Sequence, residues 1–299
     1  MKTLAIVCAG LGNVIETTPM LVALDELSES LEIMLRVNWP DMDKLLPWKC
    51  LLPTQVNITN YDTIALSWWA RNAESPLKLP SGKDIRVVRP RLSIMEYSET
   101  ECNMDVAYQL GYEKEMPELK INEVGESAVD GKYIVMACGF QKSTNYANWK
   151  NRAWPHWKQC AKLLKERGHR LVMVGTKEDC EAWHKELIDF DLCGKTDLVT
   201  LAATIRKAAG MIACDNGPAH IADAYKVKTV VLFGPTNLLK SRFFNTRVMF
   251  APQSVAPCRP CIHNLEQMST CNNAVCMLNI HPEQVVDVLE YEMNPEQSV

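Results

Sequence analysis

The stretch from Met211 to Thr236, MIACDNGPAHIADAYKVKTVVLFGPT, decides the fold. Met211 to Cys214 is a short apolar run that reads as a strand, and Asp215-Asn216-Gly217-Pro218 is a tight polar turn. Ala219 to about Tyr225 reads as a helix, and Thr229 to Phe233 as a second buried strand that ends in Gly234-Pro235. Strand, turn, helix and strand in that order form a βαβ unit with parallel strands. The turn between strand end and helix start exposes backbone N–H groups whose dipoles favour an anion, and open α/β sheets bind phosphates there. Asp215 and His220 flank this turn. The carboxylate can accept from ribose or sugar hydroxyls, and the imidazole can donate to a phosphate. An ordinary crossover with a capping Asp and a solvated His would use the same residues, and spacing alone leaves both readings open.

Working outward, the pattern repeats. Thr3 to Ala9 is a buried strand turned by Gly10-Leu11-Gly12-Asn13. Thr18 is expected as an N-cap with Pro19 at the first helical position. Met20, Leu21, Leu24, Leu27 and Leu31 follow at helical spacing, and Glu32 to Val37 is the next strand. Gly10 and Gly12 without a third glycine fall short of a dinucleotide fingerprint. Thr63 to Ser67 reads as a further strand, followed by Trp68-Trp69. Lys132 to Ala137 starts a second set, with Cys138-Gly139-Phe140 and a polar loop to Trp149 at its end. Trp157, Cys160, Ala161 and Leu164 line one helical face, Gly168 suits the position after that helix, and Leu171 to Val174 is a strand turned by Gly175. Thr196 or Asp197 caps a helix that runs through Leu198, Leu201, Ala202 and Ile205. The expectation is an α/β chain of two Rossmann-like, doubly wound domains, 1–130 and 131–299.

Bulk properties narrow the function class. The net charge of −4 gives no basic footprint for nucleic acid. The charge is uneven: residues 1–130 hold 12 Lys+Arg against 20 Asp+Glu, and residues 131–299 hold 20 against 16. A mildly basic second half suits an anionic ligand. No apolar run reaches the roughly 18 residues of a membrane span. The apolar start, Leu4 to Leu11, leads straight into a turn and helix and lacks a small-residue cleavage site, so it reads as a strand and not a signal peptide. Twelve cysteines in a large chain of this kind are expected to stay reduced, which places the protein in the cytoplasm.

The words of the central stretch go further. DNGPAHIADAYKVKTVVLFGPT resembles the D-[ST]-G-x-x-H-x-A-A…L-F-G-P-T signature of the ADP-heptose:lipopolysaccharide heptosyltransferases, glycosyltransferase family 9. GLGNVIETTPMLVAL resembles that family's G-x-G-D-x-[ILV]-x-[TS]-x-P, and NRAWPHWKQCAKLLKERGHRLVMVGTKED its K-x-W-P…W-x-x-L segment. The resemblance covers nearly the full length, with three motifs in order. It implies the GT-B architecture, with two facing domains: an acceptor-binding 1–130 and a donor-binding 131–299. It also implies an inverting, metal-independent transfer from a nucleotide-sugar, ADP-heptose favoured, to an anionic lipopolysaccharide inner-core glycan or glycolipid. Peripheral contact with the inner face of the inner membrane is part of the same expectation. Arg152 stands where the family has a phosphate-contacting Lys, Glu178 (perhaps with Asp179) matches an acidic residue near the ribose, and Asp215, Asn216, Gly217 and His220 complete the donor set. Lys240 and Arg242 are further candidates for phosphate contact. Lys83, Arg86, Arg89 and Arg91 could meet acceptor phosphates or form a solvated loop.

Three positions depart from the family: Asn13 replaces the Asp regarded as catalytic base, Arg152 a Lys, and Asn216 a Ser or Thr. An amide cannot take a proton from a hydroxyl at neutral pH. Glu16, one turn along the same crossover, is the nearest substitute carboxylate, while Asn13 could also be a plain turn former. A GT-B transferase with another nucleotide-sugar, or a degenerate sugar-nucleotide or glycan-binding protein, are the rival readings. Cys258, Cys261, Cys271 and Cys276 form C-x2-C-x9-C-x4-C, a spacing that raises structural zinc. The resemblance accounts for these cysteines before a final I-x-P-E-x-V helix without requiring a metal, and no cofactor is expected.

Overall fold

The computed structural model describes residues 1–37, 39–71, 84–139, 149–261, 264, 266 and 270–297. The chain divides into two compact units, Met1–Val124 with Leu239–Arg242, and Gly125–Leu238 with Phe243–Val299.

The first unit is built on a parallel sheet of β1 (Lys2–Cys8), β2 (Ser30–Arg36), β3 (Lys49–Leu51), β4 (Thr63–Leu66) and β5 (Arg86–Val88), ordered β3-β2-β1-β4-β5. Ile6 faces Met34 on one side and Leu66 on the other. Strands covered on both faces are apolar throughout. Leu4, Ile6, Ile64 and Leu66 are accordingly all sealed from solvent, each burial contributing about 1.5–3 kcal/mol. The chain leaves β1 outward to β3, then returns to β4, so the strand order reverses between β1 and β4.

Helix α1 (Leu11–Leu27) starts directly after Gly10, which corrects the expected N-cap at Thr18. Pro19 lies inside this helix. A proline there has no N–H for the carbonyl four residues back, which is Ile15. The Thr18 hydroxyl donates to that Ile15 carbonyl at 2.7 Å and satisfies it locally. The side chains from Val14 to Leu21 are all buried, so packing holds the helix through the proline. A short α2 (Met42–Leu45) follows β2. Helix α3 (Glu99–Gln109) begins at a reciprocal cap, in which the Ser98 hydroxyl accepts the Glu101 N–H and Glu101 accepts the Ser98 N–H.

The second unit carries a six-stranded parallel sheet: β6 (Ile134–Ala137), β7 (Leu171–Met173), β8 (Phe190–Asp191), β9 (Gly210–Cys214), β10 (Thr229–Phe233) and β11 (Arg247–Phe250), ordered β11-β10-β9-β6-β7-β8. Its order reverses between β6 and β9, where a doubly wound sheet opens a crevice at its strand ends. Helix α4 (Trp157–Glu166) buries Trp157, Cys160, Ala161 and Leu164, the face expected from spacing. Gly168 takes φ +84° after it, the left-handed position that glycine occupies without penalty. A short α5 (His184–Leu187) precedes β8, and α6 (Leu198–Arg206) is capped by Asp197, whose side chain accepts the Thr200 N–H at 2.7 Å. Helix α7 (Gly217–Ala224) starts two residues earlier than periodicity suggests, because Asn216 caps it with Pro218 in the first turn. The C-terminal helix Pro282–Met293 packs Val285, Val286 and Leu289 into the same core as α4. No described helix is long and apolar enough to cross a membrane.

Candidate functional site

The turn after β9 lies at the reversal point of the second sheet, beside the end of β6. Asn216 ties those two strand ends together. Its side-chain oxygen accepts the Ala219 N–H at 3.1 Å, and its amide donates to the carbonyls of Ala137 at 3.0 Å and Gly139 at 2.8 Å. A Ser or Thr could cap the helix but has one proton and cannot bridge both carbonyls. The Asn216 side chain is therefore spent on holding the turn.

Asp215 is 8% exposed and meets Arg152. One guanidinium nitrogen of Arg152 donates to the Asp215 backbone carbonyl and reaches its carboxylate at 3.1 Å. His220 Nε2 stands 4.0 Å from the other carboxylate oxygen. The His220 ring stacks on Phe243 at 4.5 Å and 20°, and Phe243 meets Phe233 of β10 edge-on. Arg152, Asp215 and His220 thus converge at the N-terminal end of α7, with Gly217 as its first residue. Cys214 beside them is pushed up to about 12 by burial, against the pull of Arg152, and Cys138 at the end of β6 is likewise pushed up to about 12 by burial and Asp179. Both thiols stay protonated at neutral pH and add no charge to the site.

On the neighbouring turn after β7, Glu178 is exposed and Asp179 is buried. The Thr176 N–H and hydroxyl both donate to Asp179 at 2.8 Å. A Cβ added to Gly139 or Gly175 would come within 2.5 and 2.9 Å of the same carboxylate, so both glycines make room for it. The polar loop expected to Trp149 falls at residues 140–148, outside those described.

In the first unit, Asn13 caps the Gly10 turn: its side-chain oxygen accepts the Gly10 N–H at 3.0 Å. That fixes its amide toward Glu99 at the start of α3, to whose oxygens it donates at 2.9 and 2.8 Å. Glu99 is fully buried, and Glu16 is 2% exposed. Neither spacing nor motif singles out Glu99, because its partner lies 86 residues earlier. Lys240 and Arg242 belong to the first unit: Lys240 lies over the Trp69 ring at 5.2 Å, and Arg242 pairs with Glu101 at 3.3 Å. Of the basic stretch, Arg91 is paired with Asp105 at 2.6 Å and Arg86 donates to the Gln109 carbonyl, while Lys83 is outside the described residues.

Asp223 is a second residue without a sequence signal. Fully buried at the end of α7, it accepts the N–H groups of Phe244 and Asn245 at 2.9 and 2.6 Å and so seats Phe243 beside His220. Burial pushes its carboxyl up, and those two N–H groups oppose the shift.

The four cysteines Cys258, Cys261, Cys271 and Cys276 lie near one another, all as free thiols. None of the twelve cysteines is in a disulfide, and burial with the neighbouring Cys258, Cys276 and Cys271 pushes Cys261 up to about 11. Among the described residues, no three of these thiols stand within 4.8 Å of one another.

The model of glycosyltransferase family 9 (heptosyltransferase) matches residues 96–271, more than half of the 299-residue chain. A lipooligosaccharide heptosyltransferase 2 of Campylobacter jejuni is 32% identical over 106 residues, which is 35% of this chain and 32% of the relative; the matched part thus spans about a third of that protein. Among solved structures, a glycosyl transferase family 9 protein from Veillonella parvula superposes with TM-score 0.71 at 16% identity over 99% of this chain and 97% of the other. The E. coli ADP-heptose lps heptosyltransferase II does so with TM-score 0.69 at 16% identity over the whole of both. At that identity the likeness is one of fold, two parallel-sheet α/β domains as in the GT-B heptosyltransferases. With the motifs at the β9 turn and the family match across residues 96–271, the chain belongs to glycosyltransferase family 9, the heptosyltransferases.

Proposed function

We propose that this protein is an inverting glycosyltransferase that moves a heptose from ADP-heptose to an anionic inner-core-type glycan or glycolipid at the inner face of the inner membrane. The convergence of Arg152, Asp215 and His220 on the N-terminal end of α7 carries this reading. Arg152 and the helix N–H groups stabilise the departing diphosphate, as fixed positive charge does wherever a leaving group gains negative charge. His220 donates to the same group, and Asp215 accepts from a sugar hydroxyl. Asp179 and Glu178 sit on the adjacent strand end, where the ribose of the donor would fall in a doubly wound sheet. On the acceptor side Asn13 orients rather than deprotonates. A carboxylate has to take the proton, and Glu99 and Glu16 are the candidates beside Asn13.

A second reading is favoured by one observation. Asn13 replaces the family's Asp, and the adjacent carboxylates Glu99 and Glu16 are buried. A chain so built could bind a sugar-nucleotide without turning it over.

Calorimetric titration with ADP, UDP and GDP, on the wild type and on Asp215→Ala, tests the donor assignment. Selective ADP binding that the substitution abolishes is the expected result. Preference for UDP or GDP would overturn the heptose donor, and no binding to any of the three would overturn the site. Turnover of ADP-heptose, measured on protein that binds ADP, separates the transferase from the binding protein.

A further inference from the structure

On the far edge of the second sheet, away from the α7 turn, three side chains of different metal-ligating type close on one point. Cys180 follows the short turn Lys177–Asp179, His184 opens α5, and Asp191 ends β8, the edge strand. Cys180 Sγ is 3.1 Å and His184 Nδ1 3.0 Å from the same oxygen, Asp191 Oδ2. All three atoms lie within 4.8 Å of one another. Ligands at tetrahedral angles around zinc, with Zn–S of about 2.3 Å and Zn–N or Zn–O of about 2.0–2.1 Å, stand roughly 3.3–3.6 Å apart. The two pairs that share Asp191 Oδ2 stand within a few tenths of an ångström of that spacing, and the third pair lies within 4.8 Å.

The supporting contacts fit that role. The other oxygen of Asp191 accepts the Cys193 N–H at 3.0 Å, which orients the carboxylate and leaves Oδ2 facing Cys180 and His184. His184 is fully buried, edge-on to Trp183 at 4.4 Å, and its Nε2 has no hydrogen-bond partner among the described residues. The ring is positioned by its Nδ1 contact with Asp191 and by packing on Trp183. Cys180 is exposed, so the fourth position opens to solvent.

We propose that Cys180, His184 and Asp191 form a zinc site, with water as the fourth ligand. One thiolate, one imidazole and one carboxylate favour zinc over magnesium or calcium, which take oxygen ligands. Binding sends the Cys180 thiol proton to solvent and leaves the imidazole as its Nε2–H tautomer. The ion ties the segment after β7 to β8 and so braces the turn that carries Glu178 and Asp179. This site is independent of the donor assignment.

Exposed Cys180 makes the test specific. The full-length protein is treated with iodoacetamide with and without zinc, and modification of each cysteine is followed by peptide mass spectrometry. With zinc at about ten times its dissociation constant, roughly a tenth of the thiol stays free, so alkylation of Cys180 slows about tenfold. The peptides carrying Cys258 to Cys276 are read in the same digest, which separates this site from that segment. Asp191→Asn, with folding checked by its thermal melt, is expected to abolish the protection of Cys180. Equal rates with and without zinc would overturn the site and leave a hydrogen-bonded cluster only. Full protection surviving in a folded Asp191→Asn protein would overturn the ligand set.

Discussion

Asn13→Asp restores the carboxylate that the family usually carries, yet here it should destabilise the protein in a pH-dependent way. The Asn13 amide sits 2.8–2.9 Å from both oxygens of the fully buried Glu99. Two ionised carboxylates at that separation repel by about 6 kcal/mol at an effective dielectric constant of 20. Keeping one of them protonated is cheaper. Doing so at pH 7 costs about 1.4 kcal/mol per pH unit above a reference near 3.9, or about 4 kcal/mol. The pair therefore shares a proton. The folded variant then binds more protons than the unfolded chain between about pH 4 and 7, so its stability falls as pH rises. The expected deficit against wild type is about 4 kcal/mol at pH 7 and about 1.5 kcal/mol at pH 5. Urea unfolding of the full chain at the two pH values measures it. Asn13→Asp combined with Glu99→Gln again faces a carboxylate with an amide, and should recover most of the loss. A deficit equal at both pH values, or none, would refute the Asn13–Glu99 pairing. If Asn13 is what limits turnover, the double variant should also transfer sugar faster than wild type.

Two further substitutions test what holds the donor turn. Asn216→Ser keeps a helix cap but gives up the amide bonds to Ala137 and Gly139, and should lower stability by about 1–3 kcal/mol in chemical denaturation. ADP affinity should fall with it, because the strand ends of β6 and β9 are no longer tied. Asp223 has its folded pKa raised, so its contribution is fully present below the unfolded value and is lost as pH rises through the folded one. Asp223→Asn should remove that falling limb from a plot of melting temperature against pH, while Asp223→Ala should cost about 2–3 kcal/mol by releasing the Phe244 and Asn245 N–H groups.

The strongly patterned elements of this fold are legible one by one because each is encoded locally. A strand buried on both faces must be apolar along its length, as Thr229–Phe233 is, and a helix packed on one side must repeat its apolar residues every three or four positions, as Trp157 to Leu164 do. The β9 turn is legible for the same reason, since the geometry of strand end, turn and helix start lies within a few consecutive residues. Where local rules misplace an element, a neighbour has compensated. Pro19 reads as a helix start, but Thr18 serves the carbonyl that it leaves open, and the helix runs from Leu11.

The chemistry of the site depends on pairings that no local pattern encodes. Arg152 meets Asp215 across 63 residues and Asn13 meets Glu99 across 86, the latter because α1 packs against α3. Asn216 is singled out by its motif, and only the structure shows its amide holding the end of β6. Cys258 to Cys276 have the spacing of a zinc module, whereas Cys180, His184 and Asp191 have the convergence. Sequence alone determined the type of the strongly patterned elements, because backbone conformation follows side-chain pattern over a few residues, while β3, β5, β8, β11 and α3 carry no such pattern. Which carboxylate faces which amide, and which thiol faces which imidazole, was decided only by tertiary structure, because it depends on where the strands of a sheet end relative to one another.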